Sequence, residues 1–252
     1  MSNAAGSTFR FRHSTLYRMT GRIDVHSHLL PGVDDGCRDY AESIECARRM
    51  VDAGYTHSFC TPHIWPNLDN AVDTIAPRVQ RLQEELDDAG VALKLFPGGE
   101  MHISATFCNT RVDELVTYNN NRKYALFDFW TERLPAYFER CVQHIRAAGI
   151  IPILAHPERI DAVQNDPDKI VEFAQAGLLL QCNLECLGDP HRGRRTLLAE
   201  KWLREDRYFM LGSDLHHLNG LDVRLAGLNR AIEIVGEEKV WELTHTNPAK
   251  LL

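Results

Sequence analysis

The chain has no apolar run near the ~20 residues that a membrane-spanning helix requires, so membrane insertion is not expected. It has no surplus of basic charge either: 28 Lys and Arg against 35 Asp and Glu leave a formal charge of −7. A nucleic-acid backbone is gripped by a basic face, so no nucleic-acid partner is expected. Seven cysteines are present, but no C-x-x-C pair or zinc-ribbon spacing, which excludes a thiolate-ligated zinc module and reads as reduced thiols in the cytoplasm. Gly/Ser-rich linkers, short repeats and a secretory leader pattern are missing as well. Residues 1–22 carry Arg10, Arg12, Arg18 and Arg22 without an acid and read as a disordered or added extension, with Met19 a candidate start. One domain over 23–252 is expected, and oligomer formation is left open.

What the chain does have is alternation. Short apolar runs at 23–25, 55–60, 91–96, 124–129, 150–155, 178–182 and 208–212 read as strands. Between them, 39–53, 74–89, 135–148, 167–176, 194–205 and 222–235 read as helices, several ending at a glycine such as Gly54 or Gly149. Repeated βα units predict an α/β fold with a parallel sheet, curled into a distorted TIM-like (β/α)7 barrel.

Active sites of such barrels lie at the C-terminal strand ends. There the sequence places His26 and His28, then Asp35, His63 and Glu100. Asp128 lies late in the fourth strand, His156 follows the fifth, and Asp214 and His216 follow the seventh. Residues i and i+2 of an extended segment share a face, so His26 and His28 can point at one ion while Ser27 points away. Any one of these histidines is explained by ordinary packing, but ligands at nearly every strand end point to a metal site.

Imidazole and carboxylate without thiolate suit manganese, zinc or iron(II). Nine ligands exceed the need of one ion, so a cluster of two or three divalent ions follows. Such a cluster acidifies water and grips phosphoryl oxygens, which points to hydrolysis of a phosphate ester. Arg159, three residues after His156, brings a fork that can bind phosphate oxygens in a bidentate way. Asn183 and Arg224 are weaker candidates for the same mouth.

The segments His26-Ser27-His28, Leu30 to Gly36, Thr61-Pro62-His63, Pro97 to Glu100, His156-Pro157-Glu158-Arg159 and Gly212 to His216 together resemble the bacterial metal-dependent protein-tyrosine phosphatases of the polymerase and histidinol phosphatase (PHP) class, which accompany capsule and exopolysaccharide export. The resemblance runs from about residue 22 to Leu252. It implies three ions, usually manganese: His26, His28, Glu100 and Asp214 on the first, Glu100, Asp128 and His156 on the second, Asp35, His63 and His216 on the third. It also implies in-line attack on phosphorus by a hydroxide bridging two ions. The expected catalytic residues are Arg159, His156 and Asp214, with Arg159 and Arg224 binding substrate. The implied partner is a phosphotyrosine-containing protein, typically the tail of a bacterial tyrosine kinase. Three positions depart from the family: Asp128 stands where Glu is usual, Leu221 where an Arg helps bind phosphate, and the stretch Asn183 to Asp189 differs from the usual loop.

Other readings compete. Cys186 and Arg192 have the C-x5-R spacing of cysteine-dependent phosphatases, but Asp189 and Pro190 inside that stretch add negative charge and remove a donor. A small phosphate ester such as histidinol phosphate or a sugar phosphate would use the same ligands. An amidohydrolase fits the His-x-His start, but the fourth strand offers Asp128 where many of those barrels carry a lysine. A metal-bound regulatory module without catalysis is the reading outside enzymes.

Overall fold

The computed structural model describes residues 21–252, so the expected extension lies outside the described residues except for its last two positions. Strands and helices then alternate: β1 (Arg22–Ser27), α1 (Tyr40–Asp52), β2 (Tyr55–Cys60), β3 (His63–Ile64), α2 (Val72–Asp88), β4 (Lys94–Pro97), β5 (Glu100–His102) and β6 (Tyr124–Asp128). There follow α3 (Phe138–Ala147), β7 (Ile151–Ala155), α4 (Asp161–Asn165), α5 (Lys169–Gln175), β8 (Leu179–Asn183), α6 (Leu184–Gly188), α7 (Arg194–Arg204), β9 (Met210–Gly212), α8 (Leu221–Val235) and α9 (Glu237–Trp241). The six expected helices correspond to α1, α2, α3, α5, α7 and α8. The short α4, α6 and α9 carry too few turns for a periodic signal. Asp39 starts α1 by accepting the Glu42 N–H at 2.9 Å, and Gly54 follows it in the left-handed region with φ 88°.

Every named strand pair is parallel, in two sheets ordered β1-β2-β4 and β3-β5-β6-β7-β8-β9. The seven expected runs correspond to β1, β2, β4, β6, β7, β8 and β9, while the short β3 and β5 lie beyond the expected bounds and continue the second and third runs in the other sheet. The breaks fall at Thr61-Pro62 and at Gly98-Gly99. Proline lacks a ladder donor, and a Cβ on Gly99 would stand 2.8 Å from Val116 Cγ1. Across the break, Gly98 N–H donates to Cys60 O at 2.9 Å and Glu100 N–H to Pro62 O at 3.0 Å. At the far edge, Ser27 bridges Leu215, and Asp214 N–H donates to His26 O at 2.7 Å. The strands thus curl into a distorted half-barrel whose C-terminal rim is drawn together.

Side-chain alternation divides the core. Ile23, Val25, Phe59, Leu126, Ile153 and Met210, from five strands, form one cluster within the curled wall. Their neighbours Phe127 and Leu154 point the other way, into the larger cluster packed beneath the helices. Each such side chain contributes about 1.5–3 kcal/mol by burial. Asp128 shares the inward parity of Leu126.

Candidate metal centre

At the C-terminal rim, His26 in β1 and His28 just past its end meet at one point, as the two-residue period of extended chain requires. His26 Nε2 and His28 Nε2 lie 3.3 Å apart, while Ser27 turns away and donates from Oγ to Phe59 O at 2.9 Å. Asp214 Oδ1 is 3.4 Å from each of these nitrogens, and Glu100 Oε2 is 3.4 and 3.7 Å from them. Two ligands ~2.1 Å from one ion stand about 3.0–3.4 Å from each other, so this quartet has the spacing of a shared coordination sphere. A second group gathers Asp35, His63 and His216, with Asp35 Oδ1 3.4 and 3.5 Å from the two Nε2 atoms. Glu100 joins the groups: its Oε2 is 2.9 Å from His63 Nδ1 and its Oε1 is 2.9 Å from His156 Nε2.

Glu100 Oε2, His63 Nδ1 and His156 Nδ1 are out of contact with solvent and make no hydrogen bond of acceptable geometry among the described residues. Burial pushes the Glu100 carboxyl up, but His26, His156 and His63 hold it well below the usual carboxylate range. Burial pulls His28 down, yet Asp214 and Asp34 carry it well above its ordinary value, and His63 rises to about 9 through Asp35 and Glu100 against the same burial. Carboxylates that draw protons onto neighbouring imidazoles would draw a divalent cation more strongly, with release of those protons. The donor set fits divalent ions.

The remaining ring nitrogens are fixed from behind. His26 Nδ1 is 2.8 Å from Gln181 Oε1, His28 Nδ1 2.8 Å from Asp34 Oδ2, and His216 Nδ1 2.9 Å from the Asp214 carbonyl. Each partner oxygen only accepts, so Nδ1 carries a proton and Nε2 is the nitrogen left to meet an ion once its own proton is released. The turn that presents Asp214 is stapled: Asp24 accepts from Ser213 N–H at 2.8 Å and from its Oγ at 2.6 Å. His156 and Asp214 have φ 33° and 51°, left-handed backbone that side-chain-bearing residues adopt at a cost and that clusters at functional sites. Gly212 is required where β9 passes β1, since a Cβ there would stand 2.8 Å from His26 Cβ.

Eight of the nine expected ligands are brought together in this way. Asp128, expected on the second ion, is not in these groups. Its Oδ1 is 2.9 Å from His102 Nδ1, its β5 register partner, and its Oδ2 accepts the Trp130 indole N–H. Arg224 is also not at the mouth, where it was expected to bind substrate. It is buried, and its guanidinium donates to the carbonyls of Ser213, Asp214 and Gly220 and pairs with Glu185 at 2.7 Å. It therefore holds the Asp214 turn. Asn183 Nδ2 likewise donates to Asp214 Oδ2 at 2.7 Å. Arg159 does reach the site: it pairs with Asp214 Oδ2 and lies 5.1 Å over the Trp130 ring. It lines a cavity of about 140 Å³ that also touches Asp35, His63, Glu100, His156 and His216. Asp34, next to Asp35, was legible as a carboxylate near the site but not in its role, and Gln181, Trp65 and Trp130 carried no readable signal.

A curled wall of parallel strands with imidazoles and carboxylates meeting at its C-terminal rim defines a metal-dependent hydrolase of the TIM-like barrels. Residues 22–252 match the family of capsular polysaccharide synthesis, CpsB/CapC, and the chain belongs to that family. Tyrosine-protein phosphatase YwqE of Bacillus subtilis (strain 168) is 28% identical over 200 residues, 78% of each chain. Tyrosine-protein phosphatase CpsB of Streptococcus pneumoniae is 25% identical over 240 residues, covering 91% of this chain and 98% of its own. Among solved structures, one from work on YwqE and CpsB, called unique metal-dependent tyrosine phosphatases, superposes with a TM-score of 0.82 at 25% identity, covering 91% and 94% of the two chains.

Proposed function

We propose that the chain is a metal-dependent protein-tyrosine phosphatase of capsular polysaccharide synthesis, acting in the cytoplasm on the phosphotyrosine tail of a partner kinase, with 23–252 as its single working unit. The observation that carries this reading is Glu100, whose two oxygens face different imidazole groups while Arg159 overhangs the same cavity. Manganese is the proposed ion. His26, His28, Glu100 and Asp214 would hold one, and Asp35, His63 and His216 a second. Glu100 Oε1 and His156 offer a third and poorer position, because Asp128 is turned to His102 and Trp130.

Bound divalent ions supply acidified water and neutralise charge on phosphoryl oxygens. The residues of the chain do the rest. Arg159 presents N–H donors to the phosphoryl oxygens from the rim, steadied by Asp214 and by the Trp130 face. Asp34 and Gln181 keep the His28 and His26 imidazoles aimed. A phenolate leaves with little help from a proton donor, since the pKa of a phenol is about 10.

The test is metal-stripped protein reloaded with manganese, zinc or iron(II) and assayed on a phosphotyrosine peptide, a phosphoserine peptide and histidinol phosphate. Hydrolysis of the phosphotyrosine peptide at a kcat/KM at least tenfold above the other two is expected. Preference for histidinol phosphate, or no hydrolysis with any ion, overturns the reading.

A further inference from the structure

We propose that Trp65 and Trp130 form an aromatic cleft that receives the phenyl ring of the substrate, so that the site selects aryl over alkyl phosphates by direct recognition of the ring. The proposal rests on the phosphatase reading above and concerns which side chains give it selectivity. Among the described residues, seven of the nine lining the metal cavity are ionisable, and its apolar wall comes from these two indoles. They stand on opposite flanks of Glu100. Trp65 follows β3 and stacks on His63, 4.3 Å between centroids and 19° between planes, and His63 meets Glu100 Oε2. Trp130 follows β6 with its ring 5.3 Å from His156, which meets Glu100 Oε1.

The two rings are braced. Trp130 Nε1 donates to Asp128 Oδ2, Asp128 Oδ1 holds His102 Nδ1 at 2.9 Å, and His102 stands edge-on to Trp65 at 6.5 Å. A buried carboxylate and an imidazole thus set the indoles in place from below, which gives Asp128 a role other than ligation. Neither indole fills the core. Trp130 is 40% exposed beside charged residues, where apolar surface is left wet unless something covers it. The Trp65 Nε1 donor is buried and has no partner among the described residues, although that side chain is only half-buried. The cavity of about 140 Å³ has its ionisable side at the cluster and its aromatic side at these two rings. Arg159 over Trp130 puts the phosphate-binding guanidinium and the ring-binding face side by side.

Phosphonates separate this proposal from the phosphatase reading, because they bind without being hydrolysed. Calorimetry on manganese-loaded protein compares phenylphosphonate with methylphosphonate, and bound metal is measured in every variant. Wild type should bind the phenyl compound about tenfold or more tightly than the methyl one, as stacking on two aromatic faces implies. Trp65→Ala and Trp130→Ala should each cut that ratio about threefold or more, and Trp65→Phe and Trp130→Phe should keep most of it. A ratio near one in wild type, or an unchanged ratio in both alanine variants, overturns the cleft while leaving the phosphatase reading standing. Failure of both phosphonates to bind overturns the two together.

Discussion

Asp34 Oδ2 lies 2.8 Å from His28 Nδ1 and accepts the backbone N–H of His63 at 3.0 Å. One buried carboxylate oxygen therefore orients the ligand that follows β1 and the backbone of a ligand in β3, across the break between the two sheets. Removing the carboxylate that backs a metal-ligating histidine costs about 10- to 100-fold in metal affinity. Asp34→Ala is expected to lose manganese affinity by that factor while its thermal unfolding without metal stays cooperative. Unchanged affinity in a competition titration with a chelator would show that Asp34 does not orient the site.

Arg159 pairs with Asp214, and Asp214 keeps a second donor in Asn183 at 2.7 Å. Arg159→Ala should therefore retain its ions and lose phosphoryl binding. Loss of a preorganised donor to a developing oxyanion costs about 10²–10³ in rate. A fall of that size in kcat/KM on a phosphotyrosine peptide is expected at constant metal content, with partial recovery in Arg159→Lys. Equal activity of the alanine variant and wild type would remove Arg159 from the site.

Cys186 sits within α6, so the C-x5-R stretch begins as helix and does not form a phosphate-cradling loop. Burial pushes its thiol well above the ordinary value, away from the thiolate a nucleophile needs. Iodoacetamide treatment should leave activity within about twofold, while a chelator abolishes it and added manganese restores it. Inactivation by alkylation at constant metal content would instead favour a thiol mechanism.

The strand ends were legible because two rules act locally: period-two alternation sends His26 and His28 to one side, and βα repetition puts each strand's C-terminus at one rim. Register was not legible. Whether Asp128 meets an ion or His102 depends on β5 pairing β6 so that the two residues stand opposite each other. Between Asp34 and Asp35, one turns inward to His28 and the other outward to His63 and His216, and nothing in an Asp-Asp pair says which. Arg224 was expected to bind substrate, yet the carbonyls of Ser213 and of the left-handed Asp214 take up its donors. The two strand breaks came from sheet-to-sheet hand-over, a long-range event.

The placement of Asp128 has a measurable consequence. With both oxygens engaged by His102 and Trp130, Asp128→Asn should leave the number of tightly bound ions per chain unchanged by elemental analysis. Loss of one equivalent of metal in this variant would restore Asp128 to the ligand set.

Away from the site, Glu200 ties α7 to its surroundings: Oε1 is 2.8 Å from Arg230 Nε and 2.9 Å from Arg192 Nη2, and Oε2 is 2.9 Å from Arg204 Nη2. Burial raises its pKa, but bonds from Arg230, Arg204 and Arg192 outweigh that and bring it to about 2. The folded value lies below the ~4.3 of an unfolded Glu. Its stabilisation is therefore full above the unfolded value and is lost as pH falls through the folded one. Glu200→Gln should cost about 1–3 kcal/mol at pH 7, and the gap from wild type should close between about pH 4.5 and 2. Urea unfolding of both proteins across that range isolates the effect, because every other carboxylate titrates alike in the two chains. A gap that stays constant with pH would mean that Glu200 acts through packing and not through its charge.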